Sequence, residues 1–173
     1  PKHERADMPR ERVLVFGIDG ATFDVIRQEI AAGRLPNLKR LMDEGAWGPL
    51  ESTIHPITPM AWSSFATGCN AGKHGIFDFS RRADNRILLN NAANRMRPAI
   101  WSYLNASDRT SIVLNVPFTY PIERIKGIMI PGFEAPQPSR DVFHPVEIYD
   151  ELHKKFGELK FDWTFPVGQK LDI

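Results

Sequence analysis

The stretch "RVLVFGIDGATFDVIRQEIAAG", residues 12–33, changes its apolar period near its middle. Arg12 to Ile18 is a short, uninterrupted, β-branched run, the pattern of a strand buried on both faces of a parallel sheet. Asp19-Gly20 closes it. Thr22 to Gly33 then carries apolar residues at a spacing near 3.6 and ends on a glycine, which predicts a helix. A strand feeding a helix through a tight turn is the unit from which α/β layer folds are assembled.

The same alternation continues outward. "LPNLKRLMDEG" (35–45) reads as a second short helix with Pro36 at its start and Gly45 at its exit, and "AWGPLES" (46–52) as an edge-type strand carrying Pro49. "PMAWSSFATG" (59–68) is a helix opened by Pro59 and closed by Gly68. "RRADNRILLNN" (81–91) forms a hairpin or a lid. A helix is predicted over 99–107, strands over 110–117 and 125–132, and an amphipathic helix over 145–157. "LKFDWTF" (159–165) could start one more strand, and "APQPSR" (135–140) is either a linker or a loop over the sheet. Residues 1–11 are charged and non-periodic and read as a flexible arm, leaving 12–173 as one α/β domain with a mainly parallel sheet.

Bulk composition narrows the function classes. The chain has 173 residues, 42% hydrophobic and 25% charged, with a net charge of +1. That is an ordinary globular mixture, and nothing in the total charge points to duplex nucleic acid or an anionic membrane. No segment is long and apolar enough to span a bilayer, and "PKHERADMPRERV" is polar, unlike a signal peptide. A cytoplasmic setting is slightly favoured on that ground, and the compartment is otherwise open. Cys69 is the single cysteine, so there is no internal disulfide, and it reads as a small buried residue. The sequon at Asn105 is taken as chance. The chain starts at Pro1 and stops at Ile173 without a terminal signal, as a piece of a longer protein would.

Two oxygen-bearing residues stand where chemistry is expected. Asp19 follows the first predicted strand, and open α/β sheets bind ligands beyond the carboxyl ends of their strands. Asp-Gly is also a common turn pair, so Asp19 is either a turn residue or a carboxylate aimed at a divalent cation. Thr58 precedes Pro59 at the start of a helix, a good N-cap arrangement. A helix start also favours an incoming phosphate and the charge that builds during attack on it. A threonine hydroxyl needs activation, which a bound metal supplies. Asp19 and Thr58 on one metal would explain each other.

Other motifs give way to simpler readings. "GCNAGKHG" from Gly68 lacks one residue of P-loop spacing, places His74 after Lys73, and leaves a helix instead of a strand. There is no G-x-S-x-G elbow, and Ser63 and Ser64 lie inside the predicted helix. Lys73 and His74 shape the loop beside the site, with a contact to substrate phosphate as the functional alternative. His55 reads as structural or surface, and Trp62 and Phe65 as packing under Thr58.

"VFGIDGATFDVI", "LPNLKRLMDEGAWGPLESTIHPITPMAWSSFATG" and "GKHGIFDF" together resemble the N-terminal part of the type I phosphodiesterase/nucleotide pyrophosphatase family of the alkaline phosphatase superfamily. "NVPFTYP" and "GIMIPGF" resemble its bacterial and archaeal members, and the likeness runs from Val13 to about Phe156. It implies an alkaline-phosphatase-like three-layer fold with a mainly parallel sheet, of which this chain holds the N-terminal portion. It also implies Asp19 as a metal ligand, Thr58 as nucleophile and ligand of the same metal, and two metal ions, usually zinc, in the complete enzyme. The implied substrate is a small phosphate ester cleaved through a phospho-threonine intermediate.

Two departures qualify that likeness. The position three residues after the nucleophile, asparagine in many nucleotide pyrophosphatases, is Ala61. The later Asp-x-x-x-His, Asp-His-Gly and His motifs that complete the metal sites are missing from these residues. His74-Gly75 follows Lys73, and the pairs Asp141/His144 and Asp150/His153 have the wrong spacing and read as solvated helix positions. Catalytic zinc normally has three protein ligands, so two make half a site. The expectation is a chain that is inactive or nearly so alone, with a weak metal site that can stand empty, and with self-association favoured by the unfinished sheet edge. The alternative is a non-catalytic binding or interaction module on the same fold.

Overall fold

The computed structural model describes residues 12–132, 134–136 and 138–160. Its contacts group into two compact units, Pro1–Leu50 and Glu51–Ile173, each taken by itself below.

In the first unit two helices form where their termini are specified. Helix α1 (Phe23–Ala31) is capped by Thr22, whose hydroxyl accepts the Asp24 amide at 3.3 Å. At its other end Gly33 takes φ 74°, and the amides of Gly33 and Arg34 bond the carbonyls of Ile30 and Glu29 at 3.0 and 2.9 Å. That is a Schellman closure, open to glycine at small steric cost. Helix α2 (Pro36–Glu44) starts with proline in its first turn and ends at Gly45. Phe23 and Trp47 pack at 5.3 Å with the Arg27 guanidinium over both rings.

The two strands expected here do not form among the described residues: 12–18 and 46–52 have no ladder partners there, and Val13, Leu14 and Phe16 are more than four-fifths exposed. A strand is completed by its neighbour's hydrogen bonds, and the described remainder of this unit is helix and turn.

The second unit holds the core. Helix α3 (Thr58–Thr67) is followed by one helical turn, α4 (Ala71–His74), where a loop was expected. Strands β1 (Ser80–Ala83) and β2 (Arg86–Leu89) make the expected hairpin, closed by Asp84-Asn85 at φ 48° and 59°. Two consecutive left-handed residues match the twist of a two-residue hairpin, and Asn and Asp tolerate them best.

Helix α5 (Ile100–Ala106) leads into β3 (Ser111–Val116), which pairs in parallel with β4 (Gly127–Pro131). Gly127 is obligatory at that junction, because at φ 137° a Cβ would stand 1.9 Å from the Ser111 carbonyl oxygen. Ala66, Ala99, Trp101, Val113, Ile125 and Met129 form the buried cluster under this sheet. Helix α6 (Glu147–Phe156) follows as expected.

The architecture is thus mixed α/β, with one parallel and one antiparallel pair of strands among the described residues where a mainly parallel sheet was expected. Residues 161–165 of the last expected strand and the 1–11 arm lie outside the described residues. No described helix is long and apolar enough to cross a membrane.

Candidate active site

Asp19 sits in a turn, with the Ala21 amide reaching the Ile18 carbonyl at 3.4 Å and Gly20 at φ 69°. The turn reading of Asp-Gly is therefore realised, and Asp19 is exposed on it.

Thr58 is the first residue of α3 and not its cap. The cap is Ile57, extended at φ −117° and ψ 148°, which has no side chain able to bond the first turn. The first helical bond runs from the Ala61 amide to the Ile57 carbonyl at 2.9 Å, one residue earlier than the Thr-Pro pair suggests, and Pro59 fits the first turn because no helical bond needs an amide there. Thr58 is half-buried and stands at the positive end of the helix.

Trp62 and Phe65 meet edge to face at 5.7 Å, but Phe65 is half exposed, so only part of the expected packing layer is internal. Ser63 is buried with no partner for its hydroxyl among the described residues. Cys69 is half-buried, less enclosed than expected, because it lies just past the left-handed Gly68 that ends the helix.

Lys73 and His74 have opposite surroundings on α4. Lys73 is exposed. His74 is fully buried, its Nδ1 accepting the Ile76 amide at 3.1 Å and its Nε2 lying 3.0 Å from Ser64 Oγ. Burial, and then the nearby Arg95 guanidinium, push its pKa below the ordinary histidine value. His55 is exposed, as expected.

Arg95 is the residue that sequence reading passed over. It is nearly enclosed, paired to Glu123, bonded to the Phe118 carbonyl at 3.1 Å, and set over the Trp101 ring at 5.5 Å. Ser102 completes the Glu123 carboxylate at 2.9 Å. No periodicity marks "NRMRP", so nothing local announces this hub.

Of the two Asp–His pairs, Asp150 and His153 are exposed helix positions, Asp150 paired with Arg140 at 2.7 Å. His144 departs from expectation. It lies beside β4 in an antiparallel bridge with Met129, and its Nε2 donates to the Ile125 carbonyl at 2.9 Å. It is also one of the residues lining a cavity of about 440 Å³, together with Arg124 and Asp141; Asp19, Thr58, Lys73 and His74 do not line it.

The donor set at the two predicted metal positions is one carboxylate and one hydroxyl, both hard oxygens suited to a divalent cation. Among the described residues, no three His, Cys, Asp or Glu side chains gather into a metal-sized group. A family model described as type I phosphodiesterase / nucleotide pyrophosphatase matches residues 13–170. No curated protein and no solved structure matches the chain.

Proposed function

Because the chain belongs to the type I phosphodiesterase/nucleotide pyrophosphatase family, we propose that it carries the nucleophile half of a phosphate-ester hydrolase site. The family is one of phosphoester hydrolases, and the matched residues run through both Asp19 and Thr58. That match is the observation on which the reading rests.

Thr58 is the attacking group in this proposal, and Asp19 its co-ligand on one divalent metal, zinc in the complete two-metal enzyme. When bound, the metal would lower the pKa of the hydroxyl and screen the charge of the phosphate. The chain's own contribution is placement. Thr58 stands in the first turn of α3, at the positive end that favours a phosphate and the charge built up in attack on it. Ala61, lacking an amide side chain, leaves the phosphate oxygen to be held by another donor, and exposed Lys73 is proposed for that role. The parallel β3–β4 pair with α5 leading into it supports an alkaline-phosphatase-like layer arrangement as the parent fold.

Two oxygen ligands make a weak zinc site. The purified 173-residue chain should hold zinc well below one equivalent and leave a chromogenic phosphodiester uncut. Stoichiometric zinc, with turnover that disappears in Thr58→Ala, would show that the whole site lies within these residues and overturn the half-site reading.

A further inference from the structure

The Ser64–His74 contact looks like a nucleophilic dyad and is not one. An imidazole nitrogen that accepts an amide proton carries its lone pair there, so the bond from Ile76 N–H to Nδ1 places the neutral ring's proton on Nε2. Nε2 then donates to Ser64 Oγ, 3.0 Å away, and has no lone pair with which to take that hydroxyl's proton. The ring is a bridge between two elements. One end grips α3 at Ser64; the other grips the chain leaving α4 at Ile76. The His74 carbonyl is gripped as well, accepting the Met96 amide at 2.9 Å.

We propose that His74 is a positioning residue: in its neutral, Nε2-protonated form it bolts the turn carrying Lys73 to the helix that begins at Thr58, and a second proton at Nδ1 releases the bolt. Its meaning for catalysis rests on Thr58 being the nucleophile, whereas the bolt itself does not.

The charged surroundings favour the neutral form. Helix α3 has no ionisable side chain between Thr58 and Thr67, and Lys73 on the same turn is exposed. Arg95 is the cation whose field reaches the ring, and its own charge is balanced by Glu123. Protonation at Nδ1 would set a donor against the Ile76 donor inside a fully buried site.

Because the folded-state pKa lies below the unfolded value of about 6.5, the unfolded chain binds more protons between the two. The stabilisation is therefore fully present above about pH 6.5 and is lost as pH falls from there through the folded pKa.

Ring ¹⁵N NMR of the histidine-labelled 173-residue chain tests this directly. The expected result at pH 7.5 is a protonated Nε2 and a bare Nδ1 for His74, titrating below the ordinary histidine value of about 6.5. As the ring takes its proton, the Ser64 and Thr58 amide signals should shift in step. In His74→Gln, whose amide can still donate to Ser64 but cannot titrate, those amides should keep their positions at pH 7.5 and lose the acid step. An Nδ1–H tautomer, titration of His74 at or above about pH 6.5, or an unchanged acid step in His74→Gln would each overturn the proposal. None of these readouts depends on metal or turnover, so they stand apart from the hydrolase reading.

Discussion

Residues 12–50 and residues 51–160 are built from similarly apolar sequence and fold by different means. In the first stretch α1 and α2 bury no residue, and order comes from the chain ends: Thr22 on the Asp24 amide, proline at the start of α2, the Gly33 closure. In the second, order comes from contact across distance. Met129 and Ala99 are wholly enclosed, and Arg95 ties Glu123, Phe118 and Trp101 into one group. Capping specifies where a helix lies along the chain; burial and enclosed polar bonds supply most of its stability.

The largest predicted consequence is in hydrogen exchange. The Met129 amide, bonded to the His144 carbonyl at 2.7 Å in the core, should exchange at least ~10³-fold more slowly than the Ile26 amide of α1, bonded to Thr22 at 3.0 Å. Equal protection would mean that the first stretch shares the core's cooperativity and would erase the contrast.

A smaller effect separates two arginines. Arg95→Met removes the nearly enclosed partner of Glu123 and should cost about 3 kcal/mol of unfolding free energy in urea, with the slope unchanged. Arg34→Met, which breaks the solvent-exposed pair with Glu29, should leave the midpoint where it was. A comparable loss at both positions would contradict the division.

The same contrast explains what the sequence made legible. Helices with written ends were readable: Gly33, Gly45 and Gly68 stop α1, α2 and α3 where expected. The hairpin was readable because Asp84-Asn85 is a turn pair with its own conformational preference. "RVLVFGI" was not, since β-branched apolar residues only permit a strand, and the ladder needs a partner that the sequence does not name. His144 was misread for a related reason. Its pairing with Met129 spans 15 residues and leaves no periodic trace.

At the candidate site, Thr58 and Asp19 could be singled out because proline and glycine punctuate the backbone around them. The Ile57 cap could not, since Thr58 followed by Pro59 is itself a good cap pattern and the helix starts one residue earlier through the Ala61 bond to the Ile57 carbonyl. The Ser64–His74–Ile76 bridge was hidden as well: its donors and acceptors are ordinary residues brought together only by burial.

The proposal that Asp19 and Thr58 serve one metal is tested most directly by manganese titration of the ¹⁵N-labelled chain. Paramagnetic broadening should appear first and together at the amides of Asp19 and Thr58, and either Asp19→Ala or Thr58→Ala should weaken it at both. Broadening at one of them alone, or none at either before the remaining carboxylates respond, would contradict it.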